Sequence, residues 1–333
     1  MSGYKVLSDY SFTLERETVY GTPVGSAPIG LPTETMTFTQ TPNKHRLNRA
    51  WGYRGQHEAN TWQDTYGVVP TAAVSMIMTP QLMEVLLPGV LQNATDWTAT
   101  SNVWTMYTNN YANLPLPKGN DEGYFYTLVR NSPATLDDER LTSAVPTSLT
   151  LSIGPTDNEG ILMADWEFAA KEYDRSITVS GTIAHAELTD MYKWGELVNV
   201  SFGAYDLTSD FVSAEIKVTS GAKLVSDIPD GEFVFPKWEV SCTLKVIANS
   251  NTEAMKTKVL NRDVNLAETL KIAFGTSATT PSAEGDLILT MFAYATEWSS
   301  DYTEGEIIDF TFEGVFGNTG SSEYPFMAKF YHL

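Results

Sequence analysis

The chain has 333 residues, with 41 acidic against 21 basic side chains and a formal charge of −20. That balance excludes a broad basic nucleic-acid surface and a binder of anionic membranes, and 42% apolar residues exclude a disordered chain. The single cysteine, Cys242, excludes an internal disulfide framework and a Cys-rich metal site. No run approaches the roughly 18–20 apolar residues of a membrane span. The segment Met1–Asp9 lacks the basic region and apolar run of a secretion signal, so a soluble protein of a cytoplasm-like compartment is expected.

In chain order, residues 20–32 are rich in Gly and Pro, which predicts an extended arm or loop. Thr79 is placed to cap a helix opening at Pro80, with Leu82, Met83, Leu86 and Leu87 on its apolar face and Pro88-Gly89 as its stop. Ser148–Ile153, Ile177–Ile183, Trp238–Val246, Leu270–Phe274 and Ile308–Phe312 alternate apolar and polar residues. Such period-2 segments predict half-buried antiparallel strands. A weak helical turn is expected over Thr189–Trp194. A second helix is predicted from Ser250, with Glu253 completing a capping box.

The order of elements occurs twice. The first copy runs through strands near Glu34–Phe38 and Ala72–Met78, the helix from Pro80, then Ser148–Ile153, Ile161–Ala169 and Ser176–Ile183. The second runs through Glu215–Thr219, Trp238–Ile247, the second helix, Thr269–Phe274, Leu287–Tyr294 and Ile307–Phe316. The first copy carries an insertion near 94–145, too long for an ordinary loop and rich in Trp, Tyr and Phe, which predicts an ordered subdomain or flap. The expected organisation is an N-terminal arm over 1–32, one domain over 33–190 with that insertion, and a second over 191–333.

Chemistry-bearing motifs are sparse. His45, His57, His185 and His332 show no metal-ligand spacing, and no phosphate loop, dinucleotide fingerprint or nucleophile elbow occurs. Trp166-Glu167 and Glu297-Trp298 suggest a glycosidase pair, but sequence spacing does not fix the separation of two carboxylates. No catalytic, cofactor-binding or metal-binding residue is assigned, and no cofactor is expected. The charge pattern carries more. Lys44, Arg46, Arg49 and Arg54 lie together with Trp51 and Tyr53 and no acid between them. A basic aromatic loop on an acidic body suits docking of one copy on another. A nucleic-acid site and a solvated loop stay open as alternatives.

These features resemble the tail tube proteins of long-tailed, non-contractile phages. The shared elements are the Gly/Pro arm, a strand pair joined by a long polar loop, a short helix between strands, and the closing Tyr302–Gly317 strand. The resemblance implies a mainly β fold of two tandem β-sandwich domains, each with a flanking helix, sharing an inner β-barrel on oligomerisation. It implies a structural virion protein rather than an enzyme, assembled in the host cytoplasm and located in the tail. Three chains would form a pseudo-hexameric ring, and stacked rings a tube through which DNA passes without specific binding. Partners would be other copies and the tail proteins at the tube ends, with no membrane binding. Lys44, Arg46, Arg49, Trp51, Tyr53 and Arg54 would then contact the adjacent ring, reinforced by the arm. Alternation along the strands sends Glu239, Asp309 and Glu313 away from the core, and the resemblance makes them lumen-facing. The other readings are a carbohydrate-binding or glycan-hydrolysing β-sandwich, or another virion component such as a capsid decoration or tail-terminator protein.

Overall fold

The structure is a computed structural model. It describes residues 11–25, 28–39, 43–46, 61–64, 69–91, 98–100, 102–108, 124–131, 138–155, 157–177, 184–185, 191–225, 232–235, 238–261, 267–301, 306–317 and 323–332. The fold is mainly β, with a large antiparallel sheet and two helices.

The first part of the chain forms β1 (Ser11–Arg16), β2 (Ile29–Gly30), β3 (Thr33–Thr39), β4 (Asn43–Arg46), β5 (Thr61–Asp64) and β6 (Thr71–Ile77). Helix α1 (Pro80–Leu91) follows, then β7 (Thr98–Thr100), β8 (Val103–Tyr107), β9 (Tyr126–Asn131), β10 (Asp138–Ile153), β11 (Met163–Ala169), β12 (Glu172–Ile177) and β13 (Ala184–His185). The second part forms β14 (Leu197–Phe202), β15 (Tyr205–Asp206), β16 (Phe211–Thr219), β17 (Lys223–Val225), β18 (Glu232–Val234) and β19 (Glu239–Ile247). It ends with α2 (Ser250–Asn261), β20 (Glu268–Phe274), β21 (Leu287–Asp301), β22 (Ile307–Gly314) and β23 (Met327–Tyr331).

Eight strands run side by side in the order β3-β6-β11-β10-β16-β19-β22-β21, each antiparallel to its neighbours. Two four-strand runs are thus joined where β10 meets β16. The runs share local detail. The β3–β6 ladder has a bulge between Thr33 and Thr35, and β16–β19 has one between Phe211 and Ser213. The β10–β11 ladder has a bulge between Pro146 and Ser148, and β21–β22 has one between Ala295 and Glu297. At those last two bulges the extra residue is a threonine. Thr147 donates its hydroxyl to the Glu167 carbonyl at 3.1 Å, and Thr296 donates to the Thr311 carbonyl at 3.2 Å. A bulge leaves one residue unpaired in the ladder, so the same side-chain solution at both sites marks equivalent positions. The helix caps supply a further match. Thr79 Oγ1 receives the Leu82 N–H, and Asn249 Oδ1 receives the Thr252 N–H.

These matches set β10 beside β21 and β11 beside β22, whereas the order of elements in the sequence sets β10 beside β20 and β11 beside β21. The reason is length. Both β10 and β21 are long strands whose first halves pair with outer strands and whose second halves enter the eight-strand run. Period-2 alternation marks a strand but not its neighbours.

The inward face of the run carries Val74, Met76, Trp166, Phe168, Leu149, Leu151, Ile216, Val218, Val240, Leu244, Phe310 and Phe312, all buried. Burying each such side chain contributes about 1.5–3 kcal/mol. They pack on outer strands and helices in one contiguous core that includes residues of both halves. Trp238 ties the halves by donating its indole N–H to the Val90 carbonyl of α1 at 2.9 Å.

Three local expectations change. Pro88-Gly89 does not stop α1, which continues to Leu91 because Val90 and Leu91 are buried. The cap of α2 is Asn249 rather than Ser250, and Thr252 rather than Glu253 completes the box, since the Asn249 N–H donates to Thr252 Oγ1 at 2.7 Å. Of the weak turn expected over Thr189–Trp194, residues 189–190 lie outside the described residues, and a 3-10 turn lies at Trp194–Glu196. The segment near 94–145 is, in its described residues, shared between two sheets rather than a self-contained subdomain. Its β8 pairs with β23, whose edge would otherwise lack a partner, and its β9 lies between β1 and β10.

The arm packs on its own chain where it is described. Buried Glu17 accepts the Ser143 N–H at 2.6 Å, the Ser143 hydroxyl at 2.7 Å and the Thr127 hydroxyl at 2.9 Å. Tyr20 lies on Phe125, with ring centroids 4.6 Å apart.

Candidate functional site

Alternation gives the eight-strand run a second, polar face. Across it, Thr35 lies opposite Ser75, Ser75 opposite Asp165, Asp165 opposite Thr150, and Thr150 opposite Lys217. The row continues through Ser241 and Glu313 to Tyr294. A parallel row passes from Ser152 through Glu215, Thr243 and Thr311 to Glu297. Among the described residues, no helix or outer strand fills this face: Asp165, Glu167, Glu215, Lys217, Glu239, Ser241, Lys245, Glu297 and Glu313 are exposed.

The three residues singled out for this side are brought together on it. Glu239 stands opposite Thr219, Glu313 opposite Ser241, and Asp309 opposite Lys245. Lys245 Nζ lies 4.0 Å from Asp309 Oδ2, so this cation faces an acid across the ladder. Sequence alternation missed Asp165, Glu167, Glu215 and Glu297 as members of the same surface, because pairing alone aligns separate strands. Asp165 and Asp309 occupy matching places in the two runs, one opposite Ser75 and the other opposite Lys245.

Among the described side chains the face therefore gathers seven carboxylates, from Asp165, Glu167, Glu215, Glu239, Glu297, Asp309 and Glu313, against the ammonium groups of Lys217 and Lys245. Their spacing is a lattice rather than a cluster. Among the described residues, no group of three or more His, Cys, Asp or Glu is placed to hold a metal ion. Glu167 is drawn to its own sheet, accepting the Ser148 hydroxyl at 2.9 Å. Hydroxyl-bearing residues, Thr35, Thr37, Ser75, Thr150, Ser152, Thr219, Ser241, Thr243, Thr311 and Ser299, fill most of the remaining positions. Chemically, this is a predominantly polar surface with an excess of negative charge, and its apolar members include Tyr294 and the exposed Ile247.

The basic loop is only partly placed. Lys44 and Arg46 lie in β4, which pairs with β5 as a separate two-stranded ribbon. Arg49, Trp51, Tyr53 and Arg54 lie outside the described residues. The two acid–tryptophan neighbours do not form a joint site, since Trp166 and Trp298 point to the core side of their strands while Glu167 and Glu297 sit on the polar face. No described helix is long and apolar enough to cross a membrane. No protein-family model matches the chain, and no curated protein matches it.

Proposed function

We propose that the chain is a structural subunit of a phage tail tube of the long, non-contractile type. In this reading it holds two tandem tube-like β-sandwich units, and three copies close a ring whose polar faces line a shared inner barrel. Rings stack, and DNA passes through the lumen. The single observation that carries the reading is the continuous eight-strand polar face with its excess of carboxylates. A DNA conduit works best when its wall does not hold phosphate, and fixed negative charge keeps DNA off the wall. The repeated bulges and caps support two equivalent units per chain, which by the logic of closed cyclic assemblies gives three chains per six-unit ring.

Lys44, Arg46, Arg49, Trp51, Tyr53 and Arg54 are proposed to dock on the acidic surface of the next ring, and Glu239, Asp309 and Glu313 to face the lumen. Electron microscopy of the purified full chain at rising concentration tests the reading. Rings of three chains, stacking into tubes with a central channel, are expected. A protein that stays monomeric and binds or cleaves glycans overturns it in favour of a carbohydrate-active β-sandwich.

A further inference from the structure

The eight-strand run ends in two strands that have no second neighbour among the described residues. One is β3, paired only with β6. The other is the second half of β21, residues 294–301, paired only with β22. Exposed edges are usually blunted by Lys, Pro or a covering segment. Neither edge carries Lys, Arg or Pro: β3 reads Thr33-Glu34-Thr35-Met36-Thr37-Phe38-Thr39, and the β21 half reads Tyr294-Ala295-Thr296-Glu297-Trp298-Ser299-Ser300-Asp301.

The core is also less covered at these edges. Met36, Phe38, Ala295 and Trp298 are half-buried hydrophobics that pack on it, with the Arg130 guanidinium 5.9 Å from the Phe38 ring centre and the Lys256 ammonium 4.8 Å from that of Trp298. Their counterparts lie at the joined β10–β16 seam. Matching bulges and ladder partners equate Met36 with Ala214, Phe38 with Ile216 and Trp298 with Leu149. Those three are buried, at 5%, 4% and 0% exposure. The seam inside the chain fully buries the positions that the edges leave half-buried.

We propose that the second half of β21 pairs antiparallel with β3 of a second copy, in the register that β10 and β16 show within one chain. In that seam Thr150 lies opposite Lys217 and Ser152 opposite Glu215. Carried over position by position, Ser299 lies opposite the neighbour's Thr39, Ser300 opposite Phe38, and Asp301 opposite Thr37. The partner is therefore another copy of this chain, and the contact is main-chain pairing plus coverage of Phe38 and Trp298. No carboxylate meets a carboxylate at these positions, so the join adds no like-charge pair. The inference rests on the ring reading above and fixes which residues meet in it.

Cysteine pairs in the full chain test the register. Directly opposed residues in an antiparallel pair have Cα atoms about 4.5–5.5 Å apart, within disulfide reach, and diagonal neighbours lie beyond it. The native Cys242 is buried and stays silent. Under mild oxidation of assembled protein, S299C with T39C should give intermolecular disulfides at least about tenfold more efficiently than S299C with T37C. A preference for T37C, or no disulfide from either pair in intact assemblies, overturns the register while leaving the ring reading standing. Failure of the unmodified chain to assemble at all overturns both. Hydrogen exchange on the unmodified chain gives a second readout independent of any variant folding. Assembly should slow exchange over 36–39 and 297–301, and unchanged exchange there in assembled protein also overturns the pairing.

Discussion

The Tyr126 hydroxyl donates to the Val85 carbonyl at 2.6 Å, and it accepts the Gly89 N–H of the same helix. Val85 and Gly89 are four residues apart, so a side chain from β9 stands inside one rung of the α1 ladder. Pro88 lies in this same turn. Its missing N–H and its ring disturb the helix at this turn, and an inserted polar group re-satisfies what the distortion frees. Gly89 makes room, since a Cβ there would lie 2.6 Å from Tyr126 Cε2. Burial holds the phenol protonated, which keeps it a donor.

Removing that hydroxyl is therefore costly. Tyr126→Phe leaves the Val85 carbonyl and the Gly89 N–H without their partner in a dry site. The expected loss is about 1–3 kcal/mol of stability. Calorimetric melting of the variant against the wild type reads it, and an unchanged melting temperature would show that water reaches this turn.

Asp286 organises the loop before β21 in a similar way. It is fully buried and accepts the Thr276 N–H at 2.6 Å, the Thr276 hydroxyl at 2.8 Å, the Ser282 N–H at 2.8 Å and the Ala283 N–H at 3.1 Å. Burial disfavours its charge, but the Ser282, Thr276 and Ala283 donors outweigh burial and hold its pKa below the ordinary value of 3.8. A depressed carboxyl contributes stability that is present above the unfolded pKa and is lost as pH falls through the folded one. Asp286→Asn should thus be less stable than wild type at neutral pH, by about 1–3 kcal/mol. The gap should narrow steadily below pH about 4. Denaturant titrations from pH 7 to pH 3 check this, and a gap independent of pH would remove charge from the account.

Glu17 anchors the arm by the same chemistry. Burial is the largest influence on it and raises its pKa, against the lowering effect of Ser143, Thr127 and Gly21. Ser143 adopts φ 50, a conformation that needs support in a residue other than glycine. Glu17→Ala removes the acceptor for the Ser143 N–H and should loosen the segment between β1 and β2. Trypsin should then cut after Arg16 faster than in wild type, where the Arg16 guanidinium lies 3.9 Å over the Tyr124 ring. Equal cleavage rates would show that strand pairing alone holds the arm.

How much of this was legible beforehand depends on the kind of signal. The β class and the outward side of Glu239, Asp309 and Glu313 follow from alternation, which depends only on each strand's own residues. The Thr79 cap is equally local. The extent of α1 was not legible, because Pro88-Gly89 reads as a stop until Tyr126, 38 residues later, supplies the missing partner. The breadth of the acidic face was not legible either. Asp165 and Glu167 join the second run's acids only through β10, and no spacing along the chain encodes that pairing.

The charge of the polar face carries the last expectation. Asp309 and Glu313 lie four residues apart on the same face of β22, opposite Lys245 and Ser241. Replacing both by Lys sets three ammonium groups on one patch in every copy. Since the exposed Lys245–Asp309 pair contributes at most about 1 kcal/mol, the double variant should still fold and assemble. What changes is the hold on phosphate. Each neutralised phosphate releases counterions, so affinity falls with salt by a slope of about 0.9 per contact. On the tube proposed above, filaments of D309K/E313K should retain short duplex DNA at low salt and release it as salt rises, and the retained DNA should resist nuclease because the proposal places this face in the channel. Wild-type filaments should retain none. DNA held by the variant but fully open to nuclease would place this face on the outside of the assembly, and filaments that retain no DNA at any salt concentration would remove it from the DNA path.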